Sequence, residues 1–166
     1  MPKINDNLSE KLIREAHRQV MESGYASLTI RSVAKNCGVS VGTVYNYFPS
    51  KDALVAAFLV EDWMGRLNTV RHTAGSSDCI DPALEAIYRV LREFYRDYST
   101  LFRDFALSSP APSPRYHEML RSQLSDILRP FCPDDFTSLF VSEAMLVWSV
   151  AGAPLAQISG IIHKII

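Results

Sequence analysis

The segment from Leu28 to Leu54, LTIRSVAKNCGVSVGTVYNYFPSKDAL, constrains the fold more than any other part of this 166-residue chain. Thr29 is a favourable N-cap for a helix that carries Ile30 and Val33 on one face. Gly38 ends that helix, because the tight turn that follows needs a residue tolerant of positive φ. The pattern therefore predicts a short helix and a tight turn that leads into a second helix.

Serine residues mark the starts of the next two helices. Ser40 is placed to cap a short helix from Val41 to Tyr47, and Ser50 is placed to cap another. Asp52 falls in the first turn of that later helix, where the helix dipole favours a carboxylate. The segment thus reads as a helix-turn-helix followed by the start of a further helix.

The outward face of the second short helix has the chemistry of a DNA reader. Ala34, Val39 and Val44 can form a small core between two steeply crossing helices. The positions left outside carry hydroxyl, amide and methyl groups, which suit base edges in the major groove. These positions are Ser40, Val41, Thr43 and Asn46. Gly42 removes bulk where the helix would press against the duplex. The residues placed around this face to reach phosphates are Arg31, Tyr45, Tyr47 and Lys51.

An ordered and nearly gap-free set of residues runs through the first third of the chain. It comprises Leu12, Ala16, Val20, Gly24-Tyr25, Thr29-Ile30-Arg31, Ala34, Gly38-Val39-Ser40, Thr43 to Phe48 and Lys51 to Leu54. This set resembles the DNA-binding domain of TetR-family transcriptional regulators. A helix-turn-helix shape used only for packing is the alternative interpretation.

The resemblance implies a role in DNA binding for individual positions. Thr29 would cap the second helix and touch phosphate, and Arg31 would reach the major-groove edge or the backbone. The base-reading and backbone-reading positions would be Ser40, Val41, Gly42 and Thr43. The phosphate-contacting positions would be Tyr45, Tyr47 and Lys51. Tyr45 could instead pack on the first helix. Val41 offers no hydrogen bond, so specificity there would rest on methyl packing or on its neighbours.

Charge is distributed unevenly along the chain, although its net value is only −1. Residues 1–51 hold seven basic and four acidic residues, a net charge of +3. Residues 52–166 hold ten basic and fourteen acidic residues, a net charge of −4. The basic surplus coincides with the segment assigned to DNA, and it is modest, so we expect affinity to depend on two copies acting together.

The remainder of the chain has helical spacing and no strand pattern. Asp81-Pro82 begins a long helix, and Ser99 is predicted to restart a short one. Proline and serine dominate Ser108 to Pro114, which predicts a loop. We therefore predict an all-α fold. It has a three-helix DNA-binding domain at 1–51 and a helical ligand-binding and dimerisation domain at 52–166.

The last two helices are apolar on more than one face, which predicts a two-fold dimer interface. The residues expected there are Phe136, Leu139, Phe140, Val147, Trp148, Ile158, Ile161, Ile162 and Ile165. The resemblance implies the same arrangement, a four-helix bundle between two copies. Ordinary core packing is the alternative. The chain stops at Ile166, earlier than a typical regulator of this family.

Large apolar residues on several helices of the second domain could converge on an effector cavity. They are Trp63, Leu67, Phe94, Tyr98, Phe102, Phe105, Tyr116, Met119 and Met145. Core packing is again the alternative. The resemblance implies that an effector bound in this domain spreads the two DNA-binding heads through the fourth helix and releases the operator.

Sequence features argue against catalysis, metal binding and membrane insertion. The four histidines lack metal-ligand spacing, and no catalytic motif occurs. Cys37, Cys79 and Cys132 form no CxxC pair, which suits a reducing compartment. The polar N-terminus lacks a signal sequence, and the apolar run 144–156 is too short to span a bilayer. We expect a cytoplasmic protein that is not an enzyme and has no cofactor.

Together these features predict a homodimeric repressor that binds a palindromic DNA operator and is released by a small apolar or aromatic effector. One alternative is a DNA-binding module whose C-terminal domain docks a protein partner and binds no effector. Another is an activator or an architectural DNA-binding protein. The sequence identifies neither the effector nor the operator.

Overall fold

The computed structural model describes residues 6–108 and 114–166. Every regular element within those residues is helical, which confirms the all-α fold. The α-helices are α1 Asp6–Ser23, α2 Ile30–Cys37, α3 Val41–Tyr47, α4 Lys51–Gly75, α5 Asp81–Ser108, α6 Pro114–Leu128, α7 Asp135–Ala151 and α8 Leu155–Ile162. Single 3₁₀ turns lie at Tyr25–Ser27 and Arg129–Phe131. The predicted loop from Ser108 to Pro114 falls mainly on 109–113, outside the described residues.

Thr29, Gly38 and Ser50 act at helix ends as the sequence predicts. The Thr29 hydroxyl accepts a hydrogen bond from the backbone N–H of Ser32 at 3.0 Å. Gly38 ends α2 with a φ of 72°, a left-handed conformation that favours glycine. The Ser50 hydroxyl accepts the backbone N–H of Ala53 at 3.0 Å, next to the start of α4. These contacts fix both the turn before α3 and the direction of α4.

Helix α5 runs without a break from Asp81 to Ser108, so the predicted restart at Ser99 is wrong. The Ser99 hydroxyl donates to the backbone carbonyl of Arg96, one turn earlier, at 3.1 Å. This bond satisfies the hydroxyl within the helix, so the serine does not interrupt the backbone ladder.

Two compact units divide the described residues, one with 6–64 and 100–108 and the other with 65–99 and 114–166. The division falls inside α4 and inside α5, so each of these helices contributes to both units. The sequence boundary between residues 51 and 52 instead coincides with the start of α4. The predicted DNA contacts, which run from Thr29 to Lys51, all belong to the first unit.

Apolar side chains from α1, α2, α3 and the start of α4 form the core of the first unit. They are Leu12, Ala16, Val20, Leu28, Ile30, Val33, Ala34, Val44, Leu54 and Phe58. Burial of one medium-sized aliphatic side chain contributes about 1.5–3 kcal/mol. Helix α3 buries Val44, and Val39 before it is partly buried, so α3 is anchored by few side chains and keeps most of its surface exposed.

Helices α6 and α7 of the second unit contact each other through serine side chains. The hydroxyls of Ser125 and Ser138 lie 2.8 Å apart, and the Ser142 hydroxyl donates to the Ser138 carbonyl at 2.7 Å. Small side chains let two helices approach closely, and these hydrogen bonds satisfy the buried hydroxyls. Besides its serines, α7 buries Val141, Met145 and Leu146, whereas its aromatic side chains are exposed.

Candidate nucleic-acid interface

The first turn of α3 is fixed by two hydroxyl groups that contact each other. Ser40 accepts the backbone N–H of Thr43 at 3.1 Å, which makes it the N-cap that the sequence predicts. The same Ser40 oxygen lies 2.8 Å from the Thr43 hydroxyl oxygen. The cap therefore holds α3 at the turn, and it already uses part of the hydrogen-bonding capacity of both hydroxyls.

Helix α3 turns one side to the core and the opposite side to solvent. Val44 is fully buried, whereas Gly42 and Asn46 are exposed. Tyr45 is 52% exposed, and Val41, Thr43 and Tyr47 are partly buried. Gly42, Tyr45 and Asn46 are therefore the exposed residues of α3, and the base-reading role of the predicted residues stays a prediction.

Helix α2 contributes an exposed basic edge to the first unit. Arg31 and Lys35 are both exposed, and they are four residues apart, so they lie on one side of α2. Thr29 is exposed at the N-terminus of the same helix. A helix N-terminus with an exposed threonine and a nearby guanidinium is suited to phosphate contact.

A hydrogen-bond network centred on Glu15 joins α1 to α2. Its carboxylate accepts from Arg18 Nη2 at 2.7 Å, from Gln19 Nε2 at 2.8 Å and from Asn36 Nδ2 at 2.7 Å. Gln19 in turn accepts from the Ser32 hydroxyl at 2.6 Å. The Arg18 hydrogen bond, helped by those from the two amides, lowers the pKa of Glu15 to about 2.

Sequence reasoning did not identify this network. The spacing of Glu15, Arg18 and Gln19 places them on one side of a helix, and that signal was available. The link to Asn36, 21 residues along the chain, appears only when α1 and α2 are packed together.

A second contact fastens the start of α4 to the turn that follows α1. Tyr25 is buried, and its hydroxyl donates to the carboxylate of Asp52. The Lys51 ammonium donates to the Tyr25 carbonyl at 2.9 Å and lies 3.7 Å from the centre of the Tyr25 ring. Burial, together with the neighbouring Asp52 carboxylate, raises the pKa of Tyr25 to about 12. Lys51 therefore supports the fold and also carries further N–H donors that could meet a phosphate.

The predicted effector residues differ widely in burial. The deeply buried ones are Trp63, Leu67, Tyr98 and Met145. The partly buried ones are Phe94, Phe102 and Met119. Tyr116 is exposed, and the side chain of Phe105 on α5 lies outside the described part of the chain. The buried members already serve as core of their own units.

Within the second unit, Arg66 on α4 contacts Phe94 and Asp97 on α5. The rings of Phe94 and Tyr98 meet edge to face, with centroids 4.9 Å apart. Arg66 lies over the Phe94 ring and donates to the Asp97 carboxylate at 2.8 Å. That guanidinium holds the pKa of Asp97 below its usual value. Arg66 therefore joins α4 to α5 through one ion pair and one contact with an aromatic ring.

Two open grooves occur elsewhere on the two units. One of about 440 Å³ lies on α1 and α2 and is lined by Arg14 and Met21 among others. The second, of about 490 Å³, lies between Arg71 on α4 and Phe131 of the later 3₁₀ turn. None of the predicted effector residues lines either groove, so the effector site stays a prediction.

Most of the predicted dimer residues form an exposed apolar surface on α7, α8 and the residues just after α8. We call this the C-terminal apolar surface; it consists of Phe136, Leu139, Phe140, Val147, Trp148, Ile161 and Ile165. Ile158 and Ile162 differ, because they are only 5% and 1% exposed. Both pack into the core of their own chain, so we remove these two residues from the predicted interface.

Within residues 6–108 and 114–166, the surroundings of Cys37 do not favour redox chemistry. Burial raises the pKa of the Cys37 thiol, which keeps it protonated and inert at neutral pH. Over residues 6–108 and 114–166, no cluster of His, Cys, Asp and Glu is suited to a metal ion. No helix in that part of the chain has the length and apolar character needed to cross a membrane.

Known sequences that are similar to this chain are those of bacterial transcriptional regulators. Residues 12–58 match the family model described as bacterial regulatory proteins, tetR family. The HTH-type transcriptional regulator Mb3439c of Mycobacterium bovis is 30% identical over 132 residues, which are 75% of this chain and 69% of that protein. The HTH-type transcriptional regulator UidR of Escherichia coli K12 is 27% identical over 85 residues, 51% of this chain. The match spans only 43% of the UidR length.

Solved structures share the fold at low sequence identity. Thermus thermophilus FadR, a TetR-family transcriptional repressor in complex with lauroyl-CoA, has a TM-score of 0.66 at 23% identity, covering 94% of this chain and 91% of that one. A TetR transcription regulator from Haloarcula marismortui has a TM-score of 0.59 at 19% identity, covering 96% and 95%. Both similarities extend over nearly the whole chain and therefore include the second unit.

Proposed function

This chain belongs to the TetR family of bacterial regulatory proteins, and from that premise we propose that it is a sequence-specific repressor which binds a palindromic operator as a homodimer. The observation that carries the proposal is the accessible surface of α3. Its buried side is a single valine, Val44, and its exposed side presents Gly42, Tyr45 and Asn46. A short capped helix with such a face fits the major groove.

The charge of the surrounding unit supports binding to DNA. Arg31 and Lys35 are exposed on α2, next to the turn that precedes α3. The first 51 residues carry a net charge of +3, against −4 for the rest of the chain. Positive groups at the flanks of a reading helix contact phosphates and set its orientation. A charge this small gives weak binding by one copy, so two linked copies are needed.

The C-terminal apolar surface supports a homodimer. It contains Phe136, Phe140 and Trp148, each more than half exposed, and Ile161 adds an apolar side chain from α8. A patch of large apolar side chains is costly to leave in water, and two-fold association covers the same patch on both copies. Two copies would then present two α3 helices to half-sites about one turn of DNA apart.

We further propose that a small apolar or aromatic molecule acts as effector in the second unit. Thermus thermophilus FadR, which shares the fold, forms a complex with lauroyl-CoA. In this chain, the partly buried ring of Phe94 supplies aromatic surface beside Arg66. An effector releases the operator only if it binds one spacing of the two DNA-binding units more tightly than the other. Regulation of this kind acts on DNA in the cytoplasm.

Selection from a random-sequence DNA library with the purified full chain tests this proposal. We expect an enriched palindrome whose half-site centres are about 10 base pairs apart. The selected duplex then serves as the probe for release by a panel of aromatic compounds and acyl-CoA thioesters. Salt-sensitive binding without any enriched sequence would contradict the proposal and favour the alternative, a C-terminal domain that docks a protein partner.

A further inference from the structure

We propose that Asn46 is the residue that reads an adenine in each operator half-site, with Gly42 as the point of closest approach between α3 and the DNA. This inference rests on the proposed function, since it names the base contact through which a sequence-specific repressor would choose its site. Gly42 and Asn46 lie on the outer side of α3, and the neighbouring hydroxyls of Ser40 and Thr43 already form hydrogen bonds.

The geometry of α3 puts Gly42 and Asn46 furthest from the core. Successive residues of an α-helix are about 100° apart around the axis. Val44 is fully buried and so defines the inward direction. Gly42 and Asn46 are each two residues from Val44, and both therefore point about 160° away from it. They are also four residues apart, so they lie one above the other on the same side.

The two hydroxyl groups near the start of α3 are committed to its cap. The Ser40 oxygen accepts the Thr43 backbone N–H at 3.1 Å and lies 2.8 Å from the Thr43 hydroxyl. A hydroxyl in such a pair has less capacity left for a base edge. Within the described part of the chain no comparable bond occupies the Asn46 side chain, which is exposed.

Glycine at position 42 is not required by the fold itself. A Cβ placed there would lie 3.8 Å from the Ser40 hydroxyl, an ordinary van der Waals distance. Gly42 also lies inside a helix, where alanine is the more favourable residue. The absence of a side chain has its clearest use on the outer side, where it lets the α3 backbone come close to a ligand.

The asparagine amide matches adenine among the bases. Its oxygen accepts a hydrogen bond from the adenine N6 amino group, and its NH₂ group donates to adenine N7, so both bonds form at once in the major groove. Tyr45 also projects from the outer surface, but one phenol hydroxyl cannot form that paired contact. The expected preference for the correct base is about fivefold to 150-fold, the range of a good paired contact.

The test compares the wild-type chain with Asn46→Ala on the duplex selected by the wild type. Each base pair of one half-site, and its symmetry mate, is replaced in turn, and dissociation constants are measured at fixed salt. We expect Asn46→Ala to lose discrimination at one A·T pair per half-site and to keep it elsewhere. Replacing that adenine with 7-deazaadenine, which lacks N7, should weaken the wild type and leave Asn46→Ala unchanged.

Two further variants serve as a control for Asn46→Ala and as a test of the close approach at Gly42. Asn68→Ala removes an exposed asparagine from the second unit and should leave the whole binding profile unchanged. Gly42→Ala should fold with equal or higher thermal stability and bind the operator at least tenfold more weakly. Circular dichroism establishes that each variant is folded before its binding is compared.

The outcomes separate this inference from the proposed function. Equal loss of affinity for all duplexes with Asn46→Ala, or an unchanged profile, would overturn the role of Asn46 and leave the repressor proposal standing. Full operator binding by Gly42→Ala would overturn the close approach. Failure of the wild type to enrich any sequence would overturn the proposed function, and this inference with it.

Discussion

Helices α3 and α7 expose opposite kinds of side chain. Helix α3 buries Val44 and exposes glycine and asparagine, as a helix on the surface of a small domain usually does. Helix α7 buries three serines together with Val141, Met145 and Leu146, and it also exposes large apolar groups. The buried serines are Ser138, Ser142 and Ser149. The exposed apolar groups of α7 are Phe136, Leu139, Phe140, Val147, Trp148 and Val150.

The difference in exposed side chains indicates how α3 would bind DNA and how α7 would bind a second protein surface. The exposed side of α3 is stable in water, so it can bind and release DNA without exposing new apolar surface. The exposed side of α7 is unfavourable in water, and Phe136 alone is 77% exposed. A second protein surface that covers α7 is therefore expected to stay in place while α3 binds and releases its target.

The largest effect in this comparison should come from Ile162→Asp. Ile162 is buried in its own chain, so the variant places an unpaired carboxylate in an apolar core. We expect the free energy of unfolding to fall by about 3 kcal/mol, measured by urea denaturation. Val60→Asp is the control, because the Val60 side chain is exposed and lies outside the C-terminal apolar surface. Equal destabilisation by the two variants would contradict the assignment of Ile162 to the core.

The next effect concerns the C-terminal apolar surface. Phe140→Glu introduces a charge on the exposed side of α7 without disturbing its buried serines. We expect the dimer to dissociate at least about a hundredfold more readily, since each copy would bury an unpaired carboxylate at the two-fold interface. Sedimentation equilibrium at micromolar concentration measures this change, and circular dichroism should show an intact helical fold.

The control for this variant is Val60→Glu on α4. Val60 is apolar and exposed, like Phe140, but it lies outside the C-terminal apolar surface. We expect this variant to associate as the wild type does. A Phe140→Glu protein that sediments as the wild type would remove α7 from the subunit interface.

The smallest effect should come from Glu15, which joins α1 to α2 behind the DNA-binding surface. Its pKa is about 2 in the folded chain, against about 4.3 in an unfolded one. The depressed pKa means that the carboxylate stabilises the fold above pH 4.3, and that this contribution is lost as pH falls from about 4.3 to about 2. Glu15→Gln should cost about 1 kcal/mol at pH 7 after allowance for solvent screening.

Urea denaturation at pH 7 and at about pH 2.5 measures this contribution. The difference between wild type and Glu15→Gln should shrink at the lower pH, because the wild-type carboxylate becomes partly protonated. Glu10→Gln, an exposed residue on the same helix, is the control and should change stability by less than about 0.5 kcal/mol at either pH. A pH-independent difference would mean that Glu15 acts by packing alone.

Local sequence rules predicted the helix ends of the first unit well. Thr29, Gly38 and Ser40 occupy the cap and turn positions expected of them, because capping depends on residues within one turn of each other. The same rules were wrong at Ser99. A serine bonded to the preceding turn is as compatible with a continuous helix as with a new start.

Rules for helix caps and turns do not predict contacts between residues that are far apart in the chain. Tyr25 and Lys51 are 26 residues apart, and their contact depends on how the turn after α1 meets the start of α4. Ile158 and Ile162 were grouped with Ile161 because all three are apolar, yet the direction of each side chain decides whether it faces the core or solvent. The apolar character of a residue does not specify the direction in which its side chain points.

The sequence by itself determined the all-α fold, the helix-turn-helix and the family, because helix period, caps and turn glycines are local properties that each short segment carries. Only the tertiary structure decided that α7 turns its serines inward and its aromatic side chains outward. It also decided that Gly42 and Asn46 form the outermost line of α3. Those outcomes depend on which faces of neighbouring helices meet, and that choice is made by the packing of the whole core.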